Sequence, residues 1–136
     1  MTDQDWMDLG QRAMACKGWR WLPGMLAHQP GLTWQWRRHS VAKWSDALGV
    51  RRDIPADAVP DLRDPATVGC LLALAREAWG DASGGPVPVT AADRGGTSGG
   101  PPVWFVVWSH GPCGDPFNRA EPTEAHALVA ALEAAP

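Results

Sequence analysis

The segment Trp34-Gln-Trp-Arg-Arg-His-Ser40, followed by Lys43, Trp44, Arg51 and Arg52, holds the side chains best suited to chemistry in this chain. Between positions 34 and 52 five basic residues stand against Asp46 alone, within a chain of formal net charge -3. Arginine beside tryptophan suits two tasks. Indole faces stack on bases while guanidinium groups pair with phosphates, which is how single-stranded nucleic acids are gripped. The same two residue types anchor protein–protein interfaces, where a large apolar ring and a planar fork of donors are desolvated together. Trp34, Trp36, Arg37, Arg38, Lys43, Trp44, Arg51 and Arg52 therefore form the candidate partner-binding set. The assignment requires that some of these indoles lie at the surface. The opposing reading puts Trp34 and Trp36 in the core and leaves the arginines as a solvated rim.

Other constellations are weaker. His110-Gly-Pro-Cys113 has a two-residue gap that zinc can use, but tetrahedral zinc needs four ligands. The rest would have to come from isolated Cys16, Cys70, His28, His39 or His126, so no metal site is expected. Cys113 activated by His110 and Asp115 would make a nucleophile, yet nothing in the spacing singles it out, and no catalytic residue is assigned. The loop Arg94-Gly-Gly-Thr-Ser-Gly-Gly100 lacks the Lys-Ser/Thr and helix that make a phosphate-binding loop, so it reads as a connector and no cofactor is expected. Trp104 and Trp108 would share one strand face with Val106 between them. Core placement is the expectation; an open face would offer a stacking floor for a planar or sugar ligand.

These residues need elements to hold them. Helical period runs through 3–16, with Trp6, Leu9, Ala13 and Cys16 on one face and Thr2 or Asp3 as cap. It returns in 65–79, where Asp64 is the N-cap, Pro65 takes the first helical position, and Val68, Leu71, Leu72, Ala75 and Trp79 recur at helical spacing. Gly80 supplies the left-handed stop. A third helix, 124–134, has Thr123 as cap and a stripe of Ala125, Leu128, Val129 and Leu132. The strongest strand is 103–109, apolar on both faces and so expected to be central and covered from both sides. Residues 32–37 and 19–22 alternate as strands do, and 86–90 reads as a proline-bearing edge strand. Val50–Arg63 reads as an extended surface connection, 83–102 as a mobile Gly/Pro loop, and Gly111–Pro122 as a turn.

Helices with one apolar stripe and strands apolar on both faces predict an α+β fold, a small mostly antiparallel sheet packed between or against three helices. The 136 residues suit one domain, 1–136. Nine tryptophans with no tyrosine give that domain an unusual supply of large indoles. The acidic balance excludes a globally basic nucleic-acid binder. No run approaches the length of a membrane helix and the acidic start is no signal peptide, so a cytoplasmic protein without a membrane partner is expected. Three cysteines without framework spacing exclude a disulfide scaffold.

Three stretches carry a family resemblance: Cys16-Lys-Gly-Trp-Arg-Trp-Leu-Pro-Gly-Met25 after the first helix, the helix from Leu62 to Trp79, and the closing Ala/Leu helix Glu124–Glu133. Together they resemble small uncharacterised phage and prophage proteins similar to the phage ABA-sandwich domain. In that domain a strand rich in Trp, Phe and Val precedes a terminal Ala/Leu helix. The chain departs from it by the Trp34–Arg52 insertion and the long glycine loop. The Ala-, Gly-, Arg- and Trp-rich composition fits a GC-rich bacterial host or its phage. The resemblance implies no reaction. Small size, a single domain, the acidic balance, this resemblance and the lack of a catalytic cluster together lead to the expectation of a phage-encoded accessory protein in the bacterial cytoplasm that binds and inhibits a host protein or nucleoprotein defence complex, as an anti-CRISPR protein does. In that reading Asp53, Asp57, Asp61 and Asp64 form an acidic rim. The alternatives are a nucleic-acid-binding module on Trp34–Arg52 and a small-ligand domain at Trp104 and Trp108.

Overall fold

The computed structural model describes residues 1–31, 35–40, 43–46, 51–52, 54–90, 100–108 and 117–136. At 39, 40, 43, 51, 52 and 117–119 only the backbone is described. The chain is α+β, and its contacts divide it into two compact units, Met1–Leu71 and Leu72–Pro136.

The first unit opens with α1 (Asp3–Ala15) and continues through β1 (Leu26–His28), β2 (Gln35–Ser40), β3 (Lys43–Ser45), β4 (Arg51–Arg52) and β5 (Val59–Pro60). α1 starts at a capping box. The Thr2 hydroxyl accepts from the Asp5 amide, and the Asp5 carboxylate accepts from the Thr2 amide at 2.6 Å. The strands form one antiparallel sheet in the order β4-β3-β2-β1-β5. α1 packs on β5 at Gly10, where a Cβ would come within 3.0 Å of the Pro60 carbonyl oxygen. Any larger residue would push the helix off the strand.

Register sorts this sheet into two faces. Ala27 pairs with Trp36, and Arg38 with Trp44, so these four share one face. Ala27, Trp36, Trp44 and Ala58 are buried there, with Trp21 and Ile54 packed against them. Small alanines opposite large indoles let the layer fill without voids. On the other face lie Gln35 and Arg37, which reach polar partners described below.

α2 (Pro65–Trp79) begins in the first unit and ends in the second. Asp64 caps it, accepting from the Thr67 amide at 2.9 Å, and Gly80 ends it with φ 64°. The second unit adds β6 (Gly85–Val89), β7 (Val103–Val107), β8 (Phe117–Glu121) and α3 (Glu124–Glu133), the strands antiparallel in the order β6-β7-β8. The α3 stripe is wider than the period implies. Ala127, Ala130 and Ala131 are buried together with Ala125, Leu128, Val129 and Leu132, because small side chains let neighbours close around most of the helix. Trp79 donates its Nε1 to the Ala131 carbonyl at 2.8 Å and stacks on Trp108, centroids 5.6 Å apart. The six-membered ring of Trp108 lies where a Cβ of Gly84 would have to be.

β6 pairs with β7 through Gly85↔Val107, Pro86↔Val106, Val87↔Phe105, Pro88↔Trp104 and Val89↔Val103. Proline has no N–H to give, so a regular ladder to β7 runs through Gly85, Val87 and Val89. The two prolines then occupy positions whose N–H would point away from the sheet.

Several expectations need correction. Residues 19–22 are irregular rather than a strand, lying between turns at 17–18 and 23–24, with Trp19 N–H bonded to Cys16 O and Met25 N–H to Leu22 O. Gly18 and the Pro23-Gly24 pair (Gly24 φ 98°) bend the chain before a ladder can form. The 50–63 segment is no exposed connection. It supplies β4 and β5, and Ala58 to Leu62 are buried. Residues 117–121, read as turn, form β8, whose sequence Phe-Asn-Arg-Ala-Glu has neither β-branched residues nor alternation. The 83–102 segment contains β6, and its residues 91–99 lie outside the described set. β7 is central as expected, but Val107 is 48% exposed, so its second face is not covered by the described residues.

Candidate interaction site

The basic segment is built on three neighbouring strands. Trp44 of β3 stands between Arg38 of β2 and Arg52 of β4, and the next row aligns Arg37, Ser45 and Arg51. Lys43 pairs with Ser40 at the end of β3, beyond a register shift. Residues spread over sixteen positions of sequence thus meet at the β4-β3-β2 end of one sheet. Trp34 lies outside the described residues, as do the side chains of Lys43, Arg51 and Arg52.

The indoles of this segment do not face outward. Trp36 and Trp44 are each only 6% exposed, which corrects the expectation that they would serve as surface anchors. A ring of this size forms the best apolar filler available opposite Ala27 and Ala58, and burying it contributes more than any rim contact. Trp44 meets Trp21 edge-to-face at 5.0 Å, and Trp21 meets Trp19 the same way at 5.5 Å. Trp19 and Trp21 thus extend the cluster. Their spacing places them beside Trp36 and Trp44 in no obvious way, since the contact depends on the turn at 16–24.

Arginine still reaches the cluster. The Arg38 guanidinium sits 5.6 Å from the Trp44 ring centroid, a cation–π contact. Arg37 is held on the opposite face. It donates to the Gly24 carbonyl at 2.7 Å and to both Asp64 oxygens at 2.9 and 3.3 Å. The bond to Asp64 raises its pKa. Asp64 also accepts from the Thr67 hydroxyl at 2.8 Å, and that hydroxyl accepts the Leu26 amide at 2.8 Å. Burial alone would push the Asp64 carboxyl up, but the bonds from Arg37 and Thr67 together hold it below 3.8. One carboxylate therefore caps α2 and ties it to β2.

The acidic rim is also corrected. Asp64 is the cap just described. Asp61 is buried, accepting from the Arg63 backbone amide, Nε and Nη2 and from Gln35. Arg63 Nη1 continues to Asp3 of α1 at 2.8 Å. These carboxylates are spent on the fold. Asp57 is exposed beside Gln29, and Asp53 is outside the described residues.

The remaining candidates sort simply. Among the described residues no three His, Cys, Asp or Glu approach closely enough to hold a metal ion. Burial pushes the Cys70 thiol up, and it donates to the Pro23 carbonyl at 3.5 Å. His110, Cys113, Asp115 and positions 94–99 of the glycine loop lie outside the described residues. Trp108 stacks on Trp79 and lies against Gly84, and Trp104 is half-buried. Among the described residues no helix is long and apolar enough to cross a membrane.

No family model, curated protein or solved structure matches the chain significantly.

Proposed function

We propose that the protein is a small binding protein that occludes an acidic surface of a partner protein with the β4-β3-β2 end of its first sheet. In the phage reading, which rests on the Gly-Trp segment and the two Ala/Leu helices, that partner is a host protein held inactive. The observation that carries the reading is the ladder that sets Arg38 and Arg52 on either side of Trp44 in one row, with Arg51 in the next; Arg37, in that second row, is bound to Asp64 and takes no part. Cations gathered at one end of a sheet steer an acidic partner and fix its register. Burial of Trp36 and Trp44 withdraws both indoles from base stacking and from anchoring a partner alike, so the reading rests on the arginines.

The test compares immobilised wild type with the Arg38→Gln, Arg51→Gln, Arg52→Gln triple variant in bacterial lysate. A protein retained by the wild type, lost from the variant and released by salt supports the reading, provided the melting temperatures agree. Equal retention by both overturns it. Salt-dependent binding of single-stranded DNA or RNA by purified protein would move the site to the nucleic-acid class.

A further inference from the structure

The second unit carries an open groove of about 510 Å³ bordered by α2, β6, β7 and the first turn of α3. Its floor is apolar. Leu72 comes from α2, and Val87 and Val107 are 42% and 48% exposed, which only Met1 exceeds among the large hydrophobic side chains described. Gly85 widens the floor. A Cβ there would lie 3.7 Å from Arg76 Nη2 and 3.8 Å from Leu72 Cδ1, so its absence leaves room rather than relieving a clash.

Opposite charges line the same groove. Arg76 is positioned by its Nε, which donates to the Gly84 carbonyl at 2.7 Å and leaves the two Nη groups as an end-on fork. Glu124 stands at the start of α3. Among the described residues neither the fork nor the Glu124 carboxylate has a partner, and they do not pair with each other. A groove with an anchored cation, a separate anion and an apolar floor is complementary to a chain with the reverse order of features. The outward positions of β6 are prolines, so a ligand cannot add to that edge by main-chain pairing and must be read through side chains.

We infer that this groove binds a short extended segment of another protein, with an apolar side chain between an acidic residue taken by Arg76 and a basic residue taken by Glu124. The inference stands on the second unit alone and does not depend on the basic strands of the first.

The probe is the blocked peptide acetyl-Glu-Leu-Leu-Lys-amide, titrated into isotope-labelled full chain and followed by amide chemical shifts. Saturable shifts at positions 76, 85, 87, 107 and 124 are expected. Arg76→Gln and Glu124→Gln should each weaken binding roughly tenfold, the loss of one charge-assisted contact. Gly85→Ala should keep the folded spectrum and block the peptide, since its methyl meets only ordinary contacts. If Arg76→Gln disturbs the fold through Gly84, the Glu124 and Gly85 variants carry the test. No saturable shift at millimolar peptide, equal binding by the variants, or shifts lying elsewhere would overturn the inference. So would concentration-dependent shifts at these positions without peptide, which would assign the groove to a second copy of the chain.

Discussion

The two units use one plan with different filling. Each has a small antiparallel sheet with helical segments against it, yet a buried layer of the first is filled by Trp36 and Trp44, while the second buries mostly alanine, leucine and valine beside a Trp79–Trp108 stack. In the first unit Trp36 and Trp44 fill the layer over Ala27 and Ala58, while the far face is pinned by Arg37, Asp64, Thr67, Asp61 and Arg63 through named hydrogen bonds. In the second, α3 is buried around most of its circumference and the far face of the sheet shows valine. Directional bonds hold a polar face against its own backbone and leave little for a partner to grip. A valine face has no such internal claims. Both units tolerate one cost of building with tryptophan. Among the described residues the buried Nε1 of Trp19 and of Trp108 meets no acceptor, and a donor left unmet costs about 1–3 kcal/mol.

Substitutions can break or sharpen this contrast. Trp36→Ala empties the indole layer and should cost roughly 4 kcal/mol, against about 3 kcal/mol for Leu128→Ala in the second unit. Urea midpoints read both, and a Trp36 variant of near-native stability would mean the first unit does not depend on its indoles. Gly84→Ala forces a methyl into the ring of Trp108 and should cost about 2–3 kcal/mol. The same variant should dislodge the Trp79–Trp108 stack, visible as altered near-ultraviolet circular dichroism. An unchanged spectrum would show that the stack does not rest on Gly84.

Asp64→Asn is the mildest change, keeping the shape of the cap while removing the charge paired with Arg37. About 1 kcal/mol is expected, held down by the 40% exposure of the Arg37 side chain. Its signature is in pH. The Asp64 carboxyl is held below its ordinary value, so its stabilising effect is complete above 3.8 and is lost as pH falls through the lower folded value. Wild type should therefore lose its margin over the variant in acid, as measured by urea midpoints from neutral pH downward. A margin that persists to the lowest pH would exclude the ion pair as its source.

Helices were far more legible than strands. Asp64, Pro65 and Gly80 mark both ends of α2 by local chemistry, and the structure places the helix at Pro65–Trp79. Thr2 and Thr123 mark α1 and α3 in the same way. β4 and β5 have two residues each, too few for any period to register. Their existence depends on partners far along the chain, such as Ala27 for Pro60. The candidate site was legible as composition but not as geometry. The run of arginine and tryptophan was plain, yet whether an indole points inward depends on register, and a one-residue slip reverses it. The Arg37–Asp64 pair joins residues 27 positions apart and left no local trace.

The prolines of β6 have a consequence for how the protein behaves in a crowded solution. Exposed valines on a sheet invite self-association, and the usual route is recruitment of further strands onto an unprotected rim. On the β6 side a newcomer would find carbonyl groups to donate to but no amide to accept from, so growth in that direction stalls after weak contact. Pro86 and Pro88 thus separate adhesiveness from polymerisation, letting a tacky surface persist without seeding fibrils from that rim.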